Sequence, residues 1–467
     1  MRKLSRGAYE DTKGFVRAAE TLLEVALMTV LYYIIWRKAY PEGLFPGYLY
    51  MGKFVLMGIY ALLLYVFFLN SDCTMFGQLH TTDLVIGQII ALLLVNFITY
   101  FQLGLIANQL VSPMPIVVLF LIEAMLAIVL VKLYAGLYQK MYAPQDMLLI
   151  YGSKESVGLK IKMDSRPDKY KISKLISSEV GFDAICSEIS RHDAVILNDV
   201  PAELRNDILK FCYRYRVRTY ITPKLTDIMI RGAQNISLFD TPLMLVKGTG
   251  LSPVQRILKR SMDIALCSVA MIVAAPVMLV IAAAIKLEDG GPVFYKQDRM
   301  TRNGVEFQIL KFRSMIVDAE KHAGAVLASG DDPRITKVGK VIRAYRLDEL
   351  PQIFNILKGD MSIVGPRPER KVLADEICKE IPEFNYRLKV RGGLTGYAQI
   401  YGKYNTSAYD KLRLDLMYIE NYSLLLDIKL IILTVRILFS KESTEGIDKA
   451  EENKRRADEL LQELNQE

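Results

Sequence analysis

The chain holds 467 residues, 52% of them hydrophobic, and carries a formal net charge of +8. That apolar fraction exceeds what a soluble enzyme of this length uses, so membrane segments are expected, and the positive balance favours anionic partners such as lipid headgroups or nucleotides. Basic residues do not interleave with aromatics as on a nucleic-acid surface, so no nucleic acid is expected, while five scattered cysteines read as reduced thiols and three distant histidines argue against zinc.

The opening MRKLSRGAYEDTKGFVR is basic and lacks a cleavage site, so it reads as a retained cytoplasmic tail. Four apolar stretches follow, at about 18–36, 54–69, 84–103 and 115–135. Each approaches the roughly 20 residues a helix needs to cross about 30 Å of hydrocarbon. An even number of crossings returns the chain to its starting side. Lysines and arginines before the first stretch and after the fourth (Lys132, Lys140) place both ends in the cytoplasm, although Arg37, Lys38 and Lys53 pull the other way. Glu123 lies within the fourth stretch and is expected to face the interior of the bundle.

Between about 146 and 248 short apolar runs alternate with amphipathic ones. MLLIYG, DAVILND, RTYITP and PLMLVKG read as strands and ELRNDILKFCYRYRV as a helix, the alternation of an α/β domain with a parallel sheet. Its first turn, IYGSKESVG, carries Gly152 and Gly158 at the wrong spacing for a dinucleotide fingerprint. Tyr170 and Lys174 form a YxxxK that has no meaning without that fingerprint. A Rossmann-like domain without a nucleotide follows, with oligomerisation (a homodimer) or regulation as its open roles.

A fifth apolar stretch, about 262–287, poses a parity problem, because a full crossing would carry everything after it outside. Pro276 near its middle removes a backbone hydrogen bond and bends the helix. Taken alone, a kinked span and a re-entrant segment are equally admissible. The phosphate-type motifs downstream favour re-entry, with Lys259, Arg260 and Lys286 anchored at one headgroup layer. Asn303-Gly304 between alternating runs signals a hairpin that gathers Lys296, Arg299, Lys311 and Arg313.

In RLDELPQIFNILKGDMSIVGPRPE, Leu350, Ile353, Phe354 and Leu357 outline one apolar helix face, with Pro351 at its start and Gly359 at its end. Asp348 and Glu349 then sit at the helix N-terminus. Capping needs one carboxylate; two adjacent ones, with Arg343 before them and Arg367 on the next turn, point to a metal-assisted phosphate site.

The strings KRSMD, GPVFYKQDR, KFRSM, RLDELPQIFNILKGDMSIVGPRPE, GLTGYAQIYGK and LDLMYIENYSLLLDIKL, in this order, resemble the catalytic domain of the bacterial sugar transferases, the monotopic phosphoglycosyl transferases. With four spans and an α/β domain ahead of it, the chain is similar to the long subclass, the polyprenyl glycosylphosphotransferases of capsule and exopolysaccharide synthesis. The resemblance implies that Asp348 attacks the β-phosphate of a UDP-sugar and that UMP leaves. Polyprenyl (undecaprenyl) phosphate then takes the sugar-phosphate from the aspartate. It further implies that Glu349, with Asp348, holds Mg²⁺, and that Lys311, Arg313, Arg343, Arg367, Arg391 and Lys403 bind substrate phosphates. The chain departs from the family pattern at Ala275-Pro276, at Arg391-Gly392-Gly393, at Tyr397 and at Ile400-Tyr401-Gly402-Lys403.

The expected architecture is a four-span membrane α-helical bundle (1–140), a Rossmann-like α/β cytosolic domain (146–248), and a mixed, mainly α catalytic domain with a re-entrant membrane helix (255–440). The apolar run 423–439, with charges interspersed, is expected to lie at the bilayer interface, and 441–467 to form a charged helical tail. A nucleotide-sugar dehydratase or epimerase and a non-enzymatic scaffold are the alternatives; the degenerate glycine turn argues against the first.

Overall fold

The computed structural model describes residues 2–40, 51–75, 79–142, 144–153, 158–237, 240–317, 332, 334–402, 406–438 and 455, with the backbone only for 2–11 and 13. The tail expected over 441–467 therefore lies outside the described residues save one, as do Lys403 and most of the loop after Gly152. The chain packs as two units that divide between Thr222 and Pro223.

In the first unit, α1 (Arg2–Ala39), α2 (Gly52–Asn70), α3 (Thr81–Ala107) and α4 (Met114–Met141) enclose the four apolar stretches. Each helix packs on the next, and α1 closes on α4, which makes an up-and-down bundle. Among the described residues five helices are long and apolar enough to cross a membrane, these four and Pro253–Asp289 of the second unit. It is a multi-pass membrane protein. In the bundle core Tyr32 stacks on Tyr60 with ring centroids 4.2 Å apart. Glu123 is fully buried, as its place in an apolar run required. Its carboxylate accepts from Tyr60 Oη at 2.7 Å and from Asn96 Nδ2 at 2.8 Å, so the polar group is satisfied inside the bundle.

The α/β part follows as β1 (Gln145–Tyr151), α5 (Gly158–Asp164), β2 (Tyr170–Ser177), α6 (Phe182–Ile189), β3 (Ala194–Asn198), α7 (Ala202–Tyr215) and β4 (Arg218–Ile221). The four strands form one parallel sheet in the order β2-β1-β3-β4. Alternate residues explain its two buried faces: Leu148, Ile150, Val195 and Leu197 pack on α6 and α7, while Met147, Leu149, Ala194 and Ile196 form the other layer. Gly152 N donates to Asn198 O at 3.0 Å, and a Cβ on Gly152 would stand 1.9 Å from Asp199 O. This glycine serves strand packing. Tyr170 and Lys174 lie on strand β2, where Lys174 pairs with Glu188 at 3.1 Å.

The second unit begins with α8 (Leu225–Arg231) and the antiparallel pair β5 (Gln234–Ile236) and β6 (Leu243–Leu245). The strand read from PLMLVKG thus pairs in this separate ribbon and not in the parallel sheet. The reason is that Leu225 and Ile228 bury themselves in the core that holds Leu412 and Leu416, which draws the segment after Thr222 to the second unit. Next comes α9 (Pro253–Asp289), capped reciprocally by Ser252 and Gln255 and ended by Gly290 at φ 69°. The helix continues through Pro276, where a bend is expected. Lys259 and Arg260, expected among headgroups, bond to protein instead. Lys259 pairs with buried Asp427 at 2.6 Å, and Arg260 donates to the carbonyls of Ile356 and Leu357.

The remaining elements are β7 (Phe294–Met300), β8 (Glu306–Phe312), α10 (Lys337–Ala344), α11 (Gln352–Lys358), β9 (Ser362–Val364), α12 (Lys371–Glu380), β10 (Gly393–Thr395), α13 (Tyr397–Tyr401), α14 (Ala408–Glu420) and α15 (Leu424–Leu438). The β7–β8 hairpin turns through Asn303 at φ 61° and Gly304 at φ 75°, as the dipeptide requires. Helix α15 differs from the interfacial helix expected for 423–439: Asp427, Leu430 and Leu433 are fully buried in the core, while Leu425 and Val435 remain exposed. Its buried Asp427 is explained by pairing, since besides meeting Lys259 it accepts from Tyr418 Oη at 2.7 Å.

Replacing Glu123 by Ala removes the acceptor shared by Tyr60 and Asn96. We expect the thermal midpoint of the detergent-solubilised protein to fall by the equivalent of about 1–3 kcal/mol. An unchanged midpoint would show that these donors find other partners.

Candidate active site

The acidic pair does not sit on a regular helix start. Arg346 adopts a left-handed conformation (φ 54°) that ends the turn after α10, and Leu347–Glu349 form a single 3₁₀ turn leading into α11. Pro351 occupies the residue before α11, and Gly359 ends it at φ 102°. The expected apolar face is also revised. Ile353 and Ile356 are buried, together with polar Gln352 and Asn355, whereas Phe354 is exposed. Asn355 explains the change. Its Oδ1 accepts from Leu310 N at 2.9 Å and its Nδ2 donates to Gln308 O at 2.8 Å, which splices α11 onto strand β8. A slightly apolar pattern with one asparagine in it concealed this edge contact.

That splice sets Lys311, the next residue on β8, against the dyad. Lys311 Nζ lies 2.9 Å from Glu349 Oε1, and Arg367 Nη2 approaches the same oxygen at 3.6 Å. The two carboxylates respond differently. Burial would raise Glu349, but Lys311 and Arg367 outweigh it and bring its pKa down to about 2. Burial, together with the Glu349 charge, raises Asp348 from its ordinary value against the opposing pull of Lys311 and Arg343. Adjacent acids thus differ in basicity, with Glu349 firmly ionised and Asp348 the more basic.

Arg367 is presented by the Pro366-Arg367-Pro368 turn after β9. Gly365 permits it, because a Cβ there would stand 2.4 Å from Arg391 O. Two arginines hold the turn from behind: Arg299 Nη1 donates to Pro368 O and Arg387 Nη2 to Arg367 O, each at 3.0 Å. Arg387 is itself buried against Asp415 at 2.8 Å. Neither Arg387 nor Asp415 was singled out from sequence, although both lie in or beside the motif strings. Among the other expected phosphate ligands, Arg313 is buried and forks onto Asp289 at the end of α9. Arg391 lies in a second charged cluster with Arg260, Arg302, Asp263 and Asp360. The structure therefore brings Lys311, Arg343 and Arg367 to the dyad, ties Arg313 to Asp289, and does not describe Lys403.

Residues 254–441 match the family described as bacterial sugar transferase. Over 210 residues the chain is 37% identical to exopolysaccharide production protein ExoY of Rhizobium meliloti, covering 92% of that protein and 42% of this chain. The chain belongs to the bacterial sugar transferase family. It is also 39% identical over 262 residues to a UDP-N-acetylgalactosamine-undecaprenyl-phosphate N-acetylgalactosaminephosphotransferase of Aeromonas hydrophila, with 54% of this chain and 60% of the relative covered. A UDP-glucose:undecaprenyl-phosphate glucose-1-phosphate transferase of Klebsiella pneumoniae is 36% identical over 272 residues, 57% of each chain. The matched stretch spans less than two thirds of these last two relatives. The long-subclass resemblance agrees with these findings.

Among the described residues no group of three His, Cys, Asp or Glu side chains forms a protein-only metal cage. Mg²⁺ does not need one, since it commonly takes one or two carboxylates and completes its shell with substrate phosphates and water. An ionised Glu349 beside Asp348 is a donor set of that kind.

Two tests follow. Glu349, at about 2 against an ordinary 4.5, contributes stability that is complete above pH 4.5 and lost as pH falls through 4.5 towards 2. Glu349→Gln should flatten the acid limb of a midpoint-against-pH curve in that window, and an unchanged limb would contradict the pairing. Arg387→Ala strands buried Asp415 and should cost roughly 3–5 kcal/mol, read as a drop in the thermal midpoint that Arg387→Lys partly restores.

Proposed function

We propose that this transferase moves a sugar-1-phosphate from a UDP-sugar to polyprenyl phosphate, with undecaprenyl phosphate as carrier, and releases UMP. The observation that carries the reading is the polarised dyad: a basic, half-buried Asp348 beside an ionised Glu349 that Lys311 and Arg367 both face. The activities of the relatives in Aeromonas and Klebsiella support the donor and acceptor classes, and the Rhizobium relative supports a place in exopolysaccharide production.

In the first step an Asp348 carboxylate oxygen attacks the β-phosphorus. A new O–P bond forms, the bond to the bridging oxygen breaks, and UMP leaves with that electron pair. In the second step a phosphate oxygen of the lipid attacks the same phosphorus and Asp348 departs as carboxylate, giving polyprenyl-diphospho-sugar. Two displacements at one centre divide a difficult transfer into easier ones. The higher basicity of Asp348 makes it the better nucleophile, and Glu349 is the poorer one because its charge is shared with Lys311. Arg367 and Lys311 supply counter-charge to the diphosphate, and the rigid Pro-Arg-Pro turn keeps the guanidinium in place before substrate arrives. Asp348 and Glu349 would hold Mg²⁺, whose contribution when bound is to neutralise charge building on the transferred phosphoryl group.

The membrane arrangement is part of this proposal. Four spans from the bundle return the chain to the cytoplasmic face, and α9 re-enters from that face. Support comes from the bonds at its two ends. Arg260 bonds to α11, Asp289 bonds to Arg313 just after β8, and Asn355 splices α11 to β8. One protein body thus holds both ends of the helix, which a passage between two aqueous phases would separate.

The test is UMP release from a panel of UDP-sugars with undecaprenyl phosphate and Mg²⁺ by the purified protein. Asp348→Asn should lower turnover on the order of 10³-fold or more. Wild-type rates in that variant would end the covalent reading.

A further inference from the structure

The first unit contains a cavity of about 650 Å³ that the transfer reaction does not use. It lies where the bundle meets the sheet. Arg17 of α1, His80 and Thr81 at the start of α3, and Tyr138 and Tyr142 at the end of α4 line one side. Gln145, Tyr170 and Arg218, the first residues of β1, β2 and β4, line the other. Doubly wound sheets hold nucleotides at the carboxyl ends of their strands. This cavity is at the opposite, amino-terminal ends, away from Gly152 and the degenerate turn.

Its lining is unusual for a crevice between packed elements. Four cationic side chains, Arg17, Arg166, Lys169 and Arg218, share the wall with one carboxylate, Asp168. Asp168 is already engaged in a two-pronged pair with Arg166, both contacts at 2.9 Å. Arg218 donates to Gln145 at 3.1 Å, an uncharged partner, and Lys169 lies over the Tyr170 ring at 4.7 Å. Burial, then the charge of Arg166 and also that of Arg17, against the pull of Asp168, brings Lys169 down to about 8. Cations crowded in this way favour an anion among them, with Asp83 also acting on Arg166, and four tyrosines and two amides supply hydrogen-bonding groups around them. The volume is within the range of about 300–1,000 Å³ usual for small-molecule sites. Leu79, Leu84 and Ala135 make an apolar wall on the bundle side.

We propose that this cavity binds a phosphate-bearing ligand, supplied as a lipid headgroup or as a soluble phosphate compound, at the junction of bundle and sheet. The site is separate from the acidic dyad and depends on residues of the first unit alone.

The chain's single tryptophan, Trp36, is buried in the bundle core, so fluorescence-detected unfolding reports on this unit and not on the catalytic one. The experiment follows that signal in the full chain in neutral detergent, with inorganic diphosphate in one arm and phosphatidic acid in mixed micelles in the other, phosphatidylcholine micelles serving as reference. In the wild type at least one probe should raise the midpoint by about 3 °C or more. The rise should vanish when Lys169→Glu and Arg218→Glu are combined. Lys169→Gln with Arg218→Gln removes the same charges without adding new ones and serves if the first pair does not fold. A response to diphosphate alone identifies a soluble ligand, and one to phosphatidic acid alone a lipid headgroup. Equal rises in wild type and variant, or none in the wild type with either probe, overturn the proposal.

Discussion

Lys311 Nζ and Arg367 Nη2 both face a single oxygen of Glu349, and the site's chemistry follows from that sharing. Two neighbouring carboxylates in equal surroundings would titrate as a coupled pair with a common reluctance to ionise fully. Here two cations attend one of them. Glu349 is fixed as an anion, so its charge adds to burial in raising Asp348. The difference in basicity between two adjacent acids therefore arises from burial and from which of them the hairpin lysine bonds and the turn arginine approaches.

Reach depends in turn on groups that support these two side chains from behind. Asn355 determines where Lys311 lies, because it joins the helix after the dyad to the strand that carries the lysine. Arg387 and Arg299 determine where Arg367 lies, because they bind the carbonyls of its turn. Arg387 is anchored by Asp415, and the turn's own ribbon is closed by Gly365 N donating to Thr395 O at 2.8 Å. Preorganisation of this kind matters for phosphoryl transfer, where positioning and charge stabilisation make up most of the protein's contribution.

Local signals were readable in the sequence. The four apolar runs, the alternating α/β segment, the Asn303-Gly304 hairpin and the adjacency of Asp348 and Glu349 each depend on neighbours within a few residues. What could not be read is long-range pairing. Lys259 meets Asp427 across 168 positions, and nothing near either residue tells a buried ion pair from a headgroup anchor. Arg313 looks like any other basic residue of the hairpin until Asp289 is found beside it. Strand β6 has a strand's composition, yet its sheet is decided by the burial of Leu225 and Ile228 elsewhere. Phe354 fits an apolar helical period and is exposed because Asn355 has taken the inward position.

Exposed apolar residues acquire a meaning once the acceptor of the proposed transfer is a lipid. Val341 and Tyr345 precede the 3₁₀ turn of the dyad, Phe354 follows it, and all are substantially exposed. Helix α9 adds a long uncovered strip, with Ile264, Val269, Ile272, Val273, Leu279 and Val280 opposite the face that packs on the catalytic core. A soluble enzyme would gain nothing from such surfaces and would risk association through them. A transferase whose acceptor carries its phosphate at the bilayer surface must bring a charged site to that level without burying the site in hydrocarbon. An apolar flank beside a charged turn meets both demands. In the proposed transfer the flank would enter the lipid, and Lys311, Arg343 and Arg367 would remain at the depth where phosphates lie. In that arrangement the continuity of α9 through Pro276 is an advantage, since a helix supported along one side by its own catalytic core holds the dyad at a constant height.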